Sequence, residues 1–523
     1  MILLVTLNSL LTAITGFLVP ILAFILMLSL VIFIHELGHF VMAKRAGILC
    51  HEFAIGMGPI VYSVKKGETR YSLRAIPIGG FVSMAGEEVN EEFVKVGQTV
   101  RLLFDDAGHV TRIILRSRDV FAKPADSALE VEVESLDLKG EDGAPLRIND
   151  YEVRRDAYYV IGKRSIQIAP HERTFESKTI TQRFLAIFAG PFMNFVLAFF
   201  LFILIALVMG MPNVETAEIG SVSEAMPADT VLEVGDVITA IEGNPVSNWE
   251  EIGPLMRAEA GNRSVTMTIE RNGQTLDVEL APLLSFINLG FSSDIDNPTQ
   301  PIIGNVGDRT RGLSGGLRAG DRVVSIDGVM IANWQDIIDL ILANTEGETM
   351  TWVVERESVQ HTLTLEPLSE SVLASQNAPL MQVQVGIGPV NEFALLPSLL
   401  YGFTGLFGTI LMIFGTLGAL FRGLVGVTDL GGPVAIYQIT EQVVTTGGFI
   451  AFLNWTALLS VNLGIINLLP IPALDGGRLV FLGYEAVAGR PVNRKVENIL
   501  HFAMFVILIG FMIFITFNDI FGW

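Results

Sequence analysis

The sequence predicts a polytopic α-helical membrane protein with four transmembrane helices, a membrane-associated β-hairpin and two extracytoplasmic α/β domains. Three observations support this fold class. The mean hydropathy of the 523 residues is +0.52, four stretches are apolar and long enough to cross a bilayer, and a sequence pattern recurs between the second and third of these stretches. The formal net charge of −21 excludes nucleic acid as a partner, and the only cysteine, Cys50, excludes an internal disulfide.

The transmembrane segments follow from hydropathy. A hydrocarbon core of about 30 Å requires about 20 consecutive apolar residues in a helix. The first apolar stretch has no preceding basic region and no small-residue cleavage site, so we interpret it as a retained span rather than a signal peptide. The four predicted spans cover approximately residues 18–43, 184–209, 449–470 and 499–519.

Basic residues determine the predicted orientation of these spans. They cluster after the first span, before the second, and between the last two, so the positive-inside rule places 44–183 and 471–498 in the cytoplasm and 210–448 outside. If a fifth apolar stretch, 398–421, also crossed, the basic residues at 478–495 would lie outside, against this rule. We therefore predict that 398–421 is a membrane-surface or re-entrant helix.

These assignments divide the chain into nine segments. The stretch 52–86 is glycine-rich and alternates around a turn at Lys65–Glu68, which predicts a β-hairpin folded against the first span. The segments are the first span (1–51), the hairpin (52–86), a β-rich cytoplasmic insert (87–183), the second span (184–210), two repeat domains (211–285 and 286–392), a membrane-surface region (393–448), the third span (449–478) and the fourth-span region (479–523).

The two repeat domains share a pattern in which Gly-Asp opens an apolar run that ends in Gly. Each copy is predicted to contain strands around a short helix, and the pattern resembles the PDZ domains of bacterial proteases. PDZ domains bind extended peptides along a sheet edge; the alternative is a pair of spacer domains without a ligand. The matching residues, each pair separated by 85 positions, are Gly235 and Gly320, Asp236 and Asp321, Trp249 and Trp334, and Arg271 and Arg356.

A His-Glu-X-X-His motif ends the first apolar stretch. On a helix, the spacing places His35 and His39 on one face, where two neutral imidazoles can bind Zn²⁺, and Glu36 is placed to take a proton from water. An ionisable residue within a span costs roughly 2.5–3.5 kcal/mol, so three together indicate a function. The motif predicts a zinc protease site at membrane depth; the alternative is a set of polar residues packed within a helix bundle.

A catalytic zinc requires a third protein ligand and an open position. Asp475 is the favoured candidate, because it closes the third span on the same cytoplasmic side as His39. Pro470 and Pro472 cannot continue a regular helix, so the span must break there, and a carboxylate in the break can reach an ion. Two alternatives remain: His51 is the third ligand, or Asp475 merely caps the following helix.

These features resemble the site-2 protease family of intramembrane zinc metalloproteases, and most closely its bacterial RseP/RasP-type members. The resemblance covers nearly all of the chain apart from 87–180. Besides the paired repeats, it rests on motifs at His35–His39, Phe53–Pro59, Arg74–Gly80, Gly190–Asn194, Gly431–Pro433 and Ser460–Gly477.

The resemblance implies roles for individual residues. It makes His35, His39 and Asp475 the zinc ligands and Glu36 the catalytic base. It also implies that residues near the site bind or unwind the substrate, and that 53–83 corresponds to the membrane-associated β-hairpin of the family. The candidate substrate-binding residues are Asn467, Pro470, Pro472, Gly79 and Gly80.

The expected activity is zinc-dependent cleavage within or near the transmembrane segment of single-span proteins in the bacterial inner (cytoplasmic) membrane. By resemblance alone, the substrates would be anti-sigma factors or remnant signal peptides, and the PDZ-like pair would filter substrates already cut outside. The expected partners are therefore these substrates and the lipid bilayer. Two other classes remain: a non-proteolytic membrane PDZ scaffold, or a metal transporter, for which the second span offers only Asn194 as a polar residue.

Overall fold

The computed structural model describes residues 2–87, 93–115, 128–162, 164–259, 264–297, 300–307, 310–375, 378–423, 425–426 and 430–521. The chain forms two compact units, one comprising Met1–Phe202 and Leu430–Trp523 and the other Ile203–Asp429. The α-helices of the described residues are α1 (Ile2–Arg45), α2 (Ile180–Met209), α3 (Trp249–Glu259), α4 (Arg311–Ser314), α5 (Trp334–Ala343), α6 (Glu370–Ser375), α7 (Leu395–Phe421), α8 (Pro433–Gln442), α9 (Gly448–Leu468), α10 (Asp475–Ala488) and α11 (Arg494–Phe521).

The strands fall into three groups along the chain. Among the described residues of the first unit, two strands form the hairpin and seven form the insert. The hairpin has β1 (Cys50–Lys66) and β2 (Thr69–Met84), and the insert has β3 (Thr99–Phe104), β4 (Val110–Leu115), β5 (Leu129–Glu132), β6 (Leu136–Asp137), β7 (Leu146–Ile148), β8 (Tyr151–Ile161) and β9 (Arg164–Gln167).

The strands of the second unit are short and belong to the repeats. They are β10 (Met211–Pro212), β11 (Ile219–Val222), β12 (Val237–Ile241), β13 (Asn244–Pro245), β14 (Val265–Arg271), β15 (Gln274–Leu280), β16 (Leu283–Phe286), β17 (Phe291–Ser293), β18 (Ile303–Val306), β19 (Arg322–Ile326), β20 (Val329–Met330), β21 (Met350–Arg356), β22 (Val359–Leu365), β23 (Met381–Gln384), β24 (Ile387–Pro389) and β25 (Asn391–Glu392).

Five helical segments of the described chain are long and apolar enough to cross a membrane. Four of them coincide with the predicted spans; in one of these, α8 and α9 are joined by a π-helical turn at Val443–Gly447. The fifth is α7, which exposes large apolar side chains such as Leu396 and Leu411 and buries Ser398. Because length and composition alone admit five spans, the number that crosses the bilayer stays a prediction. The segments are Gly16–Arg45, Ile180–Met209, Leu395–Phe421, Pro433–Leu468 and Arg494–Phe521.

The predicted hairpin forms and is strongly curled. Ile55 of β1 pairs with Gly80 and also with Leu73, so the start of β1 lies between two parts of β2. The outer part of the hairpin exposes apolar side chains, including Val61 and Tyr62. Such exposure is unfavourable in water and suits contact with lipid, which is consistent with the predicted membrane association.

The insert is β-rich, as the alternating sequence predicts. Its seven strands form one sheet with the order β5-β3-β4-β8-β7-β6, and β9 pairs with β8. Alternate side chains, such as Leu102 and Ile113, fill a core of its own. Glu68 at the hairpin turn accepts hydrogen bonds from Lys44 and from Arg173, which lies after the last strand of the insert. The insert is therefore tied to the hairpin and to the end of α1.

The two repeats have the same sheet topology. The first has strand order β13-β12-β14-β15 and the second β20-β19-β21-β22. In the first, the buried Asp236 accepts two hydrogen bonds of 2.7 Å from Arg271; in the second, Asp321 accepts bonds of 2.7 and 2.8 Å from Arg356. The repeated Asp and Arg thus form a structural ion pair of a buried carboxylate and a partly exposed guanidinium, which explains their fixed spacing in the sequence.

The strand pairing differs from a linear division of the repeats at 285/286. Although 286–392 was predicted as the second repeat, β24 pairs with β11 and β25 with β10, both at the start of the first repeat. Val385 likewise belongs to the core of the first repeat. Residues 385–392 therefore complete the first repeat after the chain has formed the second, a long-range pairing that the 85-residue spacing does not indicate.

Candidate metal centre

Two histidines on α1 and one aspartate at the start of α10 converge in the first unit. The Nε2 atoms of His35 and His39 lie 3.2 Å apart. Oδ2 of Asp475 lies 3.2 Å from Nε2 of His35 and 3.3 Å from Nε2 of His39. Both histidines are buried, and this is the only such group of three potential ligands among the described residues.

The spacing of these three atoms fits a tetrahedral zinc ion. Zinc bonds of 2.0–2.2 Å place neighbouring tetrahedral ligand atoms about 3.3–3.6 Å apart, close to the observed separations. Oδ2 of Asp475 is also a buried oxygen without a hydrogen-bond partner. Since a buried carboxylate oxygen requires a compensating charge or donor, the donor set suits a bound cation. Two nitrogens and one oxygen match the ligand chemistry of catalytic zinc.

Helix α2 orients the two imidazole rings. Nδ1 of His39 donates a hydrogen bond of 2.8 Å to the carbonyl oxygen of Ala186, which leaves the lone pair of Nε2 facing Asp475. Nδ2 of Asn194 lies 3.4 Å from Nδ1 of His35, and Oδ1 of Asn194 is buried without a partner. Rotating this amide by 180° brings Oδ1 to His35, where it accepts the Nδ1–H and frees Nε2 for a metal.

Glycines permit the close approach of α1 and α2 at this site. A Cβ atom on Gly190 would lie 2.2 Å from Nε2 of His39, and one on Gly38 would lie 2.2 Å from the carbonyl oxygen of Ala189. Both distances are far below van der Waals contact. Asn194 and Gly190 belong to the Gly190–Asn194 motif, but the motif alone does not indicate these contacts; the signal in the sequence is a lone amide and a glycine in an apolar helix.

Glu36 lies beside the hairpin. A Cβ atom on Gly80 would meet Cγ of Glu36 at 3.0 Å and the carbonyl oxygen of Ala54 at 2.9 Å, so Gly80 packs directly against the predicted base. Gly79 has φ of +82°, a backbone conformation that residues other than glycine rarely adopt, and it lies against Met57. The structure thus brings Gly80 to the glutamate of the motif, and Gly79 to Met57.

The third span breaks where the prolines predict. Helix α9 ends at Leu468, one residue after the half-buried Asn467, and α10 begins at Asp475. The intervening loop, which contains Pro470 and Pro472, folds back over α10. A Cβ atom on Gly476 would lie 2.2 Å from the carbonyl oxygen of Leu469. The contacts of Asn467 and the two prolines with a substrate stay predictions.

The geometry favours Asp475 over the two alternatives that the sequence left open. His51 lies in β1, outside the group of three potential ligands. Asp475 is the first residue of α10, but the residue at the capping position is Leu474, without a side-chain capping bond. The carboxylate of Asp475 instead faces both histidines, so capping does not account for its position.

Comparison with known proteins gives a consistent result. The family model "Peptidase family M50" matches residues 23–511. "Zinc metalloprotease RasP" of Oceanobacillus iheyensis is 35% identical over 95% of this chain and 98% of its own length. "Regulator of sigma-W protease RasP" of Bacillus subtilis is 32% identical over 96% of this chain and 98% of its own. A putative zinc metalloprotease of Staphylococcus aureus is 31% identical over 97% of this chain and 99% of its own.

A solution structure from Geobacillus thermodenitrificans covers 13% of this chain and 78% of its own at 32% identity, with a TM-score of 0.12 that is too low to bear on the fold. The full-length relatives and the family match confirm the resemblance stated from the sequence and the metalloprotease class. The converging histidines and aspartate lie within the matched residues. The chain therefore belongs to peptidase family M50, the site-2 metalloprotease family.

Proposed function

We propose that this protein is a zinc-dependent intramembrane endopeptidase in which His35, His39 and Asp475 bind the metal and Glu36 is the catalytic base. The observation that supports this most directly is the convergence of three ligand atoms 3.2–3.3 Å apart beside an apolar helix. Zinc as the cofactor agrees with the names of the relatives, which are zinc metalloproteases. A scaffold or a transporter would leave the peptidase family membership unexplained.

The chemistry divides between the metal and the chain. Zinc, when bound, acts as a Lewis acid that polarises the scissile carbonyl and lowers the pKa of water. The carboxylate of Glu36 takes the proton of the attacking water and delivers it to the leaving amide nitrogen. Ala186 and Asn194 hold the two imidazoles in the required orientation. Burial of the histidines limits competing solvent at the site.

The hairpin is placed to present the substrate. A peptide bond in a transmembrane helix is shielded, because its carbonyl is hydrogen-bonded within the helix, so cleavage requires local unwinding. The backbone of β2 at Gly80 lies beside Glu36, and the Gly79-Gly80 stretch can supply replacement hydrogen bonds to an extended segment. We include Asn467, Pro470 and Pro472 among the residues that contact this segment, because they form the break before Asp475.

The proposed substrates are single-span membrane proteins of the bacterial inner membrane. One relative is named a regulator of sigma-W protease, which favours anti-sigma factors as one class; remnant signal peptides are the other. We propose four spans, with the metal site near the cytoplasmic side and the PDZ-like repeats on the outside, following the distribution of basic residues. There the repeats would admit substrates that another protease has already shortened.

Co-expression with a tagged single-span test protein tests the activity. Wild type should release a shortened fragment, whereas Glu36→Gln, which keeps the side-chain shape but cannot take a proton, should not. Equal cleavage by the two would show that Glu36 is not the base. Cleavage by neither, for several single-span substrates including an anti-sigma factor, would count against the proposed substrate class.

Deletion of 215–390 tests the filter. Full-length substrates with intact outer domains should then be cleaved together with shortened ones, because nothing would exclude them. The matched control is the same deletion in the Glu36→Gln background, which should cleave neither form. Unchanged preference for shortened substrates in an active deletion variant would contradict a filtering role of the repeats.

A further inference from the structure

The loop between α9 and α10 contains a tight turn in a strained conformation. The N–H of Leu474 donates a hydrogen bond of 3.0 Å to the carbonyl oxygen of Ile471, which closes a four-residue β-turn with Pro472 and Ala473 at its centre. Ala473 has φ of +86°. Proline followed by a residue with positive φ defines a type II turn, whose third position normally holds glycine or asparagine. Alanine at this position is strained.

A less strained alternative is available to the same four residues. Rotation of the Pro472–Ala473 peptide group converts a type II turn into a type I turn, in which the third residue adopts φ of about −90° and accepts most side chains. The intrinsic preference of alanine favours that form. The observed turn therefore requires a contact that holds the peptide group in the type II orientation.

His501 on α11 provides this contact. Its Nδ1 accepts a hydrogen bond of 2.9 Å from the N–H of Ala473, the group that changes direction when the peptide rotates. The imidazole is itself held in place: it packs edge-on against Phe481 of α10 at 5.6 Å between ring centres, and its Nε2 lies 3.8 Å from Oε1 of Glu497. The neighbouring carboxylate favours the tautomer with the proton on Nε2, which leaves Nδ1 free to accept.

The turn lies directly before Asp475. Only Leu474 separates Ala473 from the carboxylate that reaches both histidines, so a rotated peptide would change the direction in which α10 begins. We propose that His501 is a positioning residue that holds the turn in its type II form and thereby keeps Asp475 at the metal centre. This inference rests on the proposed role of Asp475 as a zinc ligand.

Two substitutions distinguish the effect of losing the hydrogen-bond acceptor of His501 from the effect of losing its ring. His501→Phe keeps a ring against Phe481 but has no acceptor. His501→Asn loses the ring but places Oδ1 on Cγ, where the histidine carries Nδ1. Outer-shell partners of metal ligands typically contribute about 10–100-fold to metal affinity or activity. We expect zinc affinity and cleavage to fall by this factor in His501→Phe, and both to stay close to wild type in His501→Asn.

A third substitution removes the strain instead of the contact. Ala473→Gly allows positive φ without a steric penalty, so the type II turn should persist without His501. Ala473→Gly combined with His501→Phe should therefore recover most of the loss caused by His501→Phe alone. A role of His501 in overall packing predicts no such recovery, because the glycine changes nothing around the ring.

The measurements are zinc retention by the purified full-length protein against a competing chelator, and cleavage of a single-span substrate. Asp475→Asn is the reference for a lost ligand. Weak zinc retention in His501→Phe, near-normal retention in His501→Asn and recovery in the double variant would support the proposal. The proposal would be overturned if His501→Phe and His501→Asn retained zinc and cleaved equally, or if Ala473→Gly restored neither property in the double variant. If Asp475→Asn itself retained zinc and cleaved normally, the proposed function of Asp475 would fail instead.

Discussion

At the residue scale, the metal centre depends on small side chains as much as on the ligands. Gly190 is an example, because a Cβ atom there would lie 2.2 Å from Nε2 of His39. Gly190→Ala should therefore displace the ring and lower zinc retention and cleavage by about 10–100-fold, the range found for disturbed ligand environments. The measurement is zinc per chain after dialysis, together with the cleavage rate.

Gly510→Ala is the matched control for this prediction. Gly510 also lies in an apolar helix, α11, but has open space around its Cβ position. Gly510→Ala should therefore leave zinc content and cleavage unchanged. If the two alanine variants behaved alike, the contact between Gly190 and His39 would not control the site.

A second prediction at this scale concerns Asn194, whose side-chain amide lies next to Nδ1 of His35. If His35 binds zinc through Nε2, its Nδ1–H requires an acceptor, and the amide oxygen of Asn194 can accept where the amide nitrogen cannot. Asn194→Leu should weaken zinc retention by about 10–100-fold. Asn194→Asp should retain zinc well, because either carboxylate oxygen accepts the same hydrogen bond. Chelator competition on the purified variants measures both. Better retention in the leucine variant than in the aspartate variant would refute the assigned orientation.

The sequence indicates the proposed ligands more directly than the residues that hold them in place. His35 and His39 follow from a local spacing, and Asp475 from the proline break that precedes it. The supports depend on contacts between distant parts of the chain: Asn194 with His35, or His501 with Ala473. No periodicity or propensity encodes such pairs, so a single sequence does not reveal them.

At the scale of elements, the last helix is tied to α8 by one carboxylate. Helix α8 begins at Pro433 without a side-chain cap, and Asp519 at the end of α11 accepts hydrogen bonds of 3.0 Å from the N–H groups of Gly432 and Ala435. A negative charge at a helix N-terminus is favourable. Asp519 therefore replaces the missing cap and fixes α11 against α8.

Asp519→Ala should lower the free energy of unfolding by about 1–3 kcal/mol, the cost of leaving partly buried donors without an acceptor. Asp519→Asn keeps one acceptor oxygen and should lower the free energy of unfolding by a smaller amount. Thermal unfolding of the purified protein in detergent measures the difference. Equal midpoints for wild type and both variants would show that this tie does not stabilise the fold.

Elements with local patterns were predictable, and those completed by distant strands were not. The hairpin follows from alternation of apolar and polar residues around a turn, the β-rich insert from strand-like pieces within a charged stretch, and the repeats from their 85-residue spacing. The return of β24 to β11 did not follow, because both strands are short and their partners lie more than 150 residues apart. Pairing of this kind is decided by tertiary packing rather than by local sequence.

At the scale of the whole molecule, the number of spans is the open structural prediction. Helix α7 is long enough to cross a bilayer, but the distribution of basic residues favours a surface helix. In a Cys50→Ala background, Asn391→Cys and Gly426→Cys place labels on either side of α7. A membrane-impermeant thiol reagent should label both from outside intact cells. Labelling of only one of them would show that α7 crosses the membrane.

Four spans and the outward repeats derive from charge and hydropathy, which report on the solvent of each segment, whereas the inner-membrane location is implied by the family resemblance. Each span sets the side of the membrane on which the following segment lies. The catalytic assignment does not depend on the number of spans. It depends on residues within one compact unit, Met1–Phe202 with Leu430–Trp523.

The central claim is that three side chains hold one zinc ion at which Glu36 acts as the base. The most direct test measures zinc content and peptide-bond cleavage in the same preparations of the purified full-length protein. Wild type and Glu36→Gln should each contain about one zinc per chain, as expected for a single catalytic site, and only wild type should cleave. Asp475→Ala should lose both zinc and cleavage. Cleavage by Glu36→Gln, or by a wild-type preparation from which zinc has been removed, would contradict the account.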